Sequence, residues 1–169
     1  MTVTGGLRKR LIKDNLYFAM YNSLEALGWF ENTMSENPVT LITEQIDSSQ
    51  EITPNKIGLS SEDITGEDIE LGSNLTEDSW EIYFDIFAES ESIGVHLSGD
   101  IYDILRGKSP HSIDVLNVYD LTQTGQPLLF TCQIEDTEIG RVREWEKPYN
   151  KYWWVVGCMV KDIYYGGGE

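Results

Sequence analysis

The chain has 169 residues, of which 40% are hydrophobic and 11% are aromatic. This length suits a single domain over residues 1–169, and the apolar content excludes a wholly disordered chain. The 29 acidic residues against 12 basic ones give a formal net charge of −17. That charge excludes a nucleic-acid-binding protein with the usual basic face, and it favours repulsion of nucleic acid or attraction of a basic partner.

The first predicted element is a helix over residues 7–27. Apolar residues recur there at steps of four, four, four and three positions, which places them on one helix face. They are Ile12, Leu16, Met20, Leu24 and Leu27. Gly28 suits the left-handed position that ends a helix, and Trp29 can then fold back on Leu24.

Short strands are predicted at residues 39–46 and 56–60, within the stretch that holds most of the excess negative charge. Residues 31–79 contain twelve carboxylates and a single cation, Lys56. Such a polar stretch, poor in aromatic residues, is typical of surface loops with short strands in them. We therefore expect the segment at about 47–79 to be acidic and rich in loops.

The clearest strand covers residues 80–89, where apolar residues from Trp80 to Ala88 occupy alternate positions. One face of this strand is wholly apolar and must face the core. A second helix is predicted at about 91–106, and Gly107 fits the position that ends it.

Four more strands are predicted, at residues 113–120, 128–135, 138–146 and 151–165. The last has apolar side chains on both faces and, at roughly 3.3 Å per residue, a length of about 45 Å. We expect one of its ends to project or to pack on another chain. The order of elements predicts an α+β fold with a mainly antiparallel sheet of about five to six strands, two helices packed on one face and a long C-terminal strand.

The residues that usually carry catalysis form no convincing pattern. His96 lies four residues before Asp100 on the predicted second helix, which suits a surface ion pair, and His111 lies in a turn. Cys132 and Cys158 lie in apolar runs and are expected to be buried free thiols.

A run of carboxylates at residues 62–70 raises the possibility of a metal site or an acid–base pair. The run lacks the spacing of a calcium-binding loop, and a chain with 29 acidic residues offers such pairs by chance. No phosphate-binding loop or nucleophile motif is present in the sequence. We therefore predict that the protein is not an enzyme and that it binds no cofactor or metal.

Three stretches, residues 7–30, 70–108 and 130–166, resemble neck proteins of long-tailed phages that infect actinobacteria. The predicted element order is similar to that of tail-terminator proteins: a first helix, strands, a long strand that runs into a second helix, and a closing set of strands. Head-closure (stopper) proteins of the neck are mostly β and lack the second helix at this place.

The resemblance implies a structural virion protein that forms a homohexameric ring at the head-proximal end of the tail. Such a ring ends polymerisation of the major tail protein and joins the tail to the head-completion (stopper) protein of the connector, with no catalysis and no cofactor. The expected location is the virion neck, after assembly in the host cytoplasm. DNA would pass without sequence-specific binding, and no membrane is involved.

Two sets of residues are predicted to serve such a ring. Acidic residues are expected to line or overhang the channel, because their charge repels passing DNA: Glu62, Asp63, Glu67, Asp68 and Glu70. The basic first helix and the aromatic, lysine-containing C-terminal region are expected to contact neighbouring subunits, since rings need complementary patches and interfaces are enriched in Trp and Tyr. These residues are Arg8, Lys9, Arg10, Lys13, Tyr149, Lys151, Tyr152, Trp153 and Tyr165.

Other functions remain open from the sequence. One is another head–tail connector protein, a stopper or an adaptor. A second is an acidic protein that mimics DNA to inhibit a host enzyme, although an aromatic C-terminal strand does not suit a decoy. A third is a small metal-dependent hydrolase that uses the acidic run.

Overall fold

The computed structural model describes residues 5–31, 38–43, 55–63, 67–68, 75–142 and 152–165. Two helices and seven strands occur within these ranges. In chain order they are α1 (Gly5–Ala26), β1 (Thr40–Ile42), β2 (Lys56–Asp63), β3 (Glu67–Asp68), β4 (Leu75–Ala88), α2 (Glu91–Leu105), β5 (Val115–Tyr119), β6 (Leu128–Arg141) and β7 (Tyr152–Tyr165).

The strands form one mixed sheet in the order β1-β2-β4-β7-β6-β5. β1 runs parallel to β2, and the other pairings are antiparallel. β3 pairs with β4 on the same side as β2, further along the strand. The register shifts by one residue between the two, because Asp63 lies opposite Trp80 and Glu67 lies opposite Glu77. The predicted α+β fold with a mainly antiparallel sheet is confirmed.

Both helices pack on one face of the sheet, called the inner face below. The alternating apolar residues of β4, from Trp80 to Ala88, are buried on that face. They join one hydrophobic cluster with apolar residues of both helices, including most of the stripe predicted for the first helix. Its helical members are Ile12, Leu16, Met20 and Leu24 of α1 and Leu97, Ile101, Ile104 and Leu105 of α2. The predicted arrangement of two helices on one face is therefore confirmed.

The helix ends follow the predicted chemistry. Gly28 has a φ of 84°, and the N–H of Trp29 donates to the carbonyl of Leu24 at 3.0 Å, which closes α1 with a left-handed turn. The hydroxyl of Ser90 accepts from the N–H of Ile93 at 3.2 Å and caps the start of α2. Gly107, with a φ of 71°, follows the end of α2.

One expectation about the strands is wrong, and another is narrowed. The predicted strands 128–135 and 138–146 overlap one strand, β6, because its pairing with β7 resumes after an irregularity between Glu135 and Glu138. Asp136 absorbs that irregularity with a φ of 49°. β4 pairs with β7 from Tyr152 to Tyr165, so neither end of β7 projects alone from the sheet, and the alternative that one end packs on another chain stays a prediction.

The described part of the acidic segment at about 47–79 lies mainly in β2, β3 and the start of β4. The loops predicted there fall outside the described residues.

Candidate interaction surfaces

The face of the sheet turned away from the helices, called the outer face, carries acidic, aromatic and apolar side chains on its three long strands. Residues alternate between the two faces of a strand, so every second residue belongs to this face. Its members are Glu77, Glu81, Tyr83, Asp85 and Phe87 on β4, Trp153, Val155, Met159, Lys161 and Ile163 on β7, and Gln133, Glu135 and Glu138 on β6.

A groove of about 410 Å³ crosses the outer face between β4, β7 and β6. Carboxylates of Glu81 and Glu138 and the ring of Tyr83 line it. The Tyr83 hydroxyl donates a hydrogen bond to Glu81. Gly157 makes room for this tyrosine, because a Cβ at that position would come within 3.3 Å of its ring. The groove thus presents negative charge beside aromatic surface.

Lys161 is the cation among the outer-face residues named above. Its Nζ lies 2.8 Å from Oε2 of Glu135 and 3.9 Å from Oε1 of Glu77. The hydrogen bond to Glu135, followed by the charge of the same carboxylate, raises the pKa of Lys161. Since two carboxylates share this cation, the outer face keeps an excess of negative charge.

Trp153, one of the predicted subunit contacts, interacts with its own chain. Its Nε1–H donates to Oδ1 of Asp85 at 3.0 Å, and its ring stacks on Phe87 with centroids 5.1 Å apart. Burial raises the pKa of Asp85, and the hydrogen bond from Trp153 opposes that shift. Trp153 remains partly exposed, so these contacts still leave part of its ring on the surface.

The predicted acidic run is adjacent to the carboxylates of β4. Its backbone in β2 and β3 pairs with the part of β4 that carries the outer-face glutamates. The register pairs are Glu62 with Glu81, Asp63 with Trp80, Glu67 with Glu77, and Asp68 with Thr76. Glu70 lies outside the described residues. The sequence analysis did not identify Glu77, Glu81, Glu135 and Glu138 as part of an acidic surface. The acidic side of the alternating strand at 80–89 already indicated Glu81.

Arg8 must be removed from the predicted subunit contacts, because it is buried inside its own chain. Its Nε and Nη2 donate to the two carboxylate oxygens of Asp162 at 2.5 and 2.7 Å. The rings of Phe130 and Tyr164 flank the guanidinium, with centroids 3.7 and 4.5 Å from Cζ. Burial lowers the pKa of Arg8, but the hydrogen bonds and charge of Asp162 outweigh it, and the pKa is raised.

The other predicted contacts differ in accessibility. The side chain of Arg10 is 80% exposed and lies 3.8 Å from Asp14, whereas Lys9 and Lys13 are partly buried. Tyr152 is partly buried, with the guanidinium of Arg141 5.6 Å from its ring centroid. Tyr149 and Lys151 lie outside the described residues, and for Tyr165 the structure describes the backbone, which pairs with Leu75.

The edges of the sheet are β1 and β5, and α1 contacts both. The Tyr17 hydroxyl donates to the carbonyl of Leu41 in β1 at 3.2 Å. The side-chain amide of Asn15 donates to the carbonyl of Tyr119 in β5 at 3.0 Å, and its Oδ1 accepts from the N–H of Tyr119 at 2.9 Å. Because Asn15 and Tyr17 are close in sequence, the sheet must curl around α1 to bring both edges to it.

His96 and Asp100 lie side by side on α2 as predicted, with Nε2 of His96 3.8 Å from Oδ2 of Asp100. The same carboxylate oxygen accepts from Nε1 of Trp29 at 2.8 Å, so Asp100 also has a structural partner. Both cysteines are buried and free, and burial raises the pKa of Cys158 to about 12. No cluster of three or more potential metal ligands occurs among the described residues.

Comparison with protein-family models and with curated proteins finds no match to this chain. Among the helices in the described ranges, none combines the length and the apolar character needed to cross a membrane. The assignment of a function therefore depends on the fold and on the surfaces described above.

Proposed function

We propose that the protein is a phage tail terminator, a structural subunit of a homohexameric ring at the head-proximal end of the tail. The ring stops polymerisation of the major tail protein and joins the tail to the head connector. The observation that carries this proposal is the junction of β4 and α2. The strand ends at Ala88, Ser90 caps the helix, and the helix begins at Glu91.

This junction lies within the element order that the resemblance to tail terminators implies. α1 and the short strands β1–β3 precede it, and β5, β6 and β7 follow it and complete the same sheet. A stopper of the mostly β type has no counterpart of α2 at this place, so α2 supports a terminator over that neighbour in the neck.

The charge of the surface supports a role as a conduit for DNA. A channel must not retain its cargo, and a negative potential repels phosphate. Six copies of a chain with a net charge of −17 would carry about −100 formal charges. We assign the lumen to the predicted acidic run, Glu62–Glu70, together with its register partners Glu77 and Glu81.

Contacts between subunits would use complementary surfaces, because neighbours in a ring meet through two different patches. Among the described cations of the predicted set, Arg10 is the exposed one, and the outer face supplies carboxylates of opposite sign. Lys9, Lys13, Tyr149, Lys151, Tyr152, Trp153 and Tyr165 remain proposed contacts.

The decisive experiment mixes the purified protein with tail tubes of its phage and examines them by light scattering and negative-stain electron microscopy. We expect rings at one end of the tubes and an end to further tube growth. The tubes must be present, because a terminator can stay monomeric until a tube templates it. A stable monomer that ignores tube ends and inhibits a DNA-binding enzyme would instead identify a DNA mimic.

The lumen assignment needs its own variant. Glu77→Gln with Glu81→Gln removes two carboxylates that are assigned to the lumen in each subunit and keeps an acceptor for the Tyr83 hydroxyl. Glu25→Gln with Asp103→Asn removes two exposed charges from the helices and serves as the matched control. We expect both variants to cap tubes and only the first to slow DNA passage. Equal passage rates would remove the outer face from the lumen.

A further inference from the structure

Among the described strands, the edge strand β5 bonds to the rest of the sheet on one side, through β6. In an antiparallel pair, alternate residues direct both main-chain groups to the partner strand, and the residues between them direct both away. The carbonyl of Asp114 accepts from the N–H of Ile134 at 2.8 Å, and the N–H of Asp120 donates to the carbonyl of Pro127 at 3.0 Å. The even-numbered residues of β5 therefore face β6.

The odd-numbered residues of β5 consequently direct their N–H and C=O groups to the open side. At Tyr119 the side chain of Asn15 takes both groups, which confirms the alternation independently. Within the described ranges, no hydrogen bond reaches the outward main-chain groups of Val115 or Asn117. Val115 is 55% exposed, and Asn117 is also exposed.

The other edge of the sheet differs. The outward carbonyl of Leu41 in β1 is taken by the hydroxyl of Tyr17. Helix α1 thus supplies hydrogen-bond partners to the main chain of β1 and of one end of β5. Val115 and Asn117 of β5 keep two outward N–H donors and two outward C=O acceptors. Such a row of main-chain groups is the feature that an added strand recognises.

We propose that the open edge of β5 binds an extended, basic segment of a partner protein, which pairs with the main chain of Val115 and Asn117. The charge near the edge favours a basic partner. Asp114 and Asp120 flank β5, and from Ser109 to Gly140 the chain has no lysine or arginine. The neighbouring strand β6 adds Asp136, Glu138 and Glu135, of which Glu135 is paired with Lys161. A second copy of a chain with a net charge of −17 is a poor partner for this edge. This inference does not depend on the proposed ring.

Hydrogen exchange in the isolated chain tests the geometry of the edge. We expect the amide protons of Val115 and Asn117 to exchange at nearly the rate of a free peptide, and those of Leu116 and Val118 to be strongly protected. These rates should not depend on protein concentration. Protection of Val115 and Asn117 that grows with concentration would show that a second copy occupies the edge, and it would overturn the proposal.

The binding test uses a blocked eight-residue peptide that alternates lysine with valine or threonine, followed by amide chemical shifts of the labelled protein. We expect shifts centred on Val115 and Asn117 at about 1 mM peptide or below, and binding at least about tenfold weaker when glutamate replaces lysine. A peptide N-methylated at every residue offers no main-chain N–H from either of its edges and should not bind, and this arm leaves the protein unchanged.

A variant of the edge completes the test. Asn117→Pro removes an outward N–H and spares the bonds to β6, so we expect at least about tenfold weaker peptide binding. Asn117→Thr keeps the main-chain donor and should bind like the original chain. Absence of shifts at β5, equal binding of the glutamate peptide, or equal binding of the N-methylated peptide would each overturn the proposal.

Discussion

The buried ion pair of Arg8 in α1 with Asp162 in β7 should contribute strongly to the free energy of unfolding. The change Arg8→Met keeps most of the apolar stem but removes both hydrogen bonds to Asp162, whose exposed fraction is 0%. Removal of one partner of a buried ion pair costs about 3–5 kcal/mol, because the other charge is left uncompensated. The Arg8 side chain is 10% exposed, so some water can reach the site and solvate the remaining carboxylate. We therefore expect Arg8→Met to lower the free energy of unfolding by about 3 kcal/mol, the lower end of that range.

That loss should be visible in thermal and urea unfolding. For a domain of this size, each kcal/mol changes the melting temperature by about 2–4 °C, so Arg8→Met should lower it by about 6–12 °C. Arg10→Met is the matched control, because it makes the same substitution at a side chain that is 80% exposed. The control should leave the free energy of unfolding nearly unchanged.

The double variant Arg8→Met with Asp162→Leu separates the cost of a stranded charge from that of lost packing. Because replacement of a whole buried pair by apolar groups is often nearly neutral, the double variant should be more stable than Arg8→Met alone by about 2 kcal/mol. Two results would refute the reasoning: an Arg8→Met variant as stable as the Arg10→Met control, or a double variant whose loss equals the sum of the single losses.

Three further predictions concern packing, the β5 edge and pH. Gly94→Ala should destabilise the protein by about 1–3 kcal/mol, because an added Cβ would overlap the Trp154 ring. Gly99→Ala in the same helix meets open space and should stabilise the protein by about 0.5–1 kcal/mol. Equal urea midpoints for the two variants would contradict this. Asn15→Leu should lower the free energy of unfolding by about 1–3 kcal/mol, because the N–H and C=O of Tyr119 in β5 lose their partner. The amide of Tyr119 should then exchange faster, and an unchanged exchange rate would count against the prediction. Burial raises the pKa of Asp85, so its contribution to stability is present below its ordinary pKa of about 3.9 and is lost as the pH rises through the raised folded-state value. Asp85→Asn should remove that part of the pH dependence of urea unfolding, and an identical pH profile would disprove it.

Local patterns in the sequence were sufficient for both helices and for β4 from Trp80 onward, whereas the first part of β4, from Leu75, had been assigned to the loop-rich segment. The core stripe of α1 from Ile12 to Leu24 and the alternation from Trp80 to Ala88 are properties of short windows, and both were buried as predicted. Glycines with positive φ at 28 and 107 followed the predicted helix ends for the same reason. Each of these features depends on residues within a few positions of each other.

The sequence analysis failed where a structural feature depends on backbone pairing or on a contact between residues far apart in the sequence. The polar residues around Asp136 looked like a turn, but the pairing of β6 with β7 continues past them. Arg8 looked like one member of an exposed basic cluster, yet its partner Asp162 is 154 positions away. The contact of Asn15 with β5 spans 104 positions. No periodicity in a single sequence encodes such pairs.

These distant contacts give α1 a role that its apolar stripe alone does not show. Arg8 fixes the start of the helix to β7, Asn15 bonds to one edge of the sheet, and Tyr17 bonds to the other. Exposed edge strands invite aggregation, and the contacts of Asn15 and Tyr17 with the two edges reduce the main-chain surface that is open to such pairing. Among the described residues, the open stretch of β5 is limited to Val115 and Asn117, and Asp114 and Asp120 flank it. This negative charge favours the basic segment proposed above over a second copy of the chain.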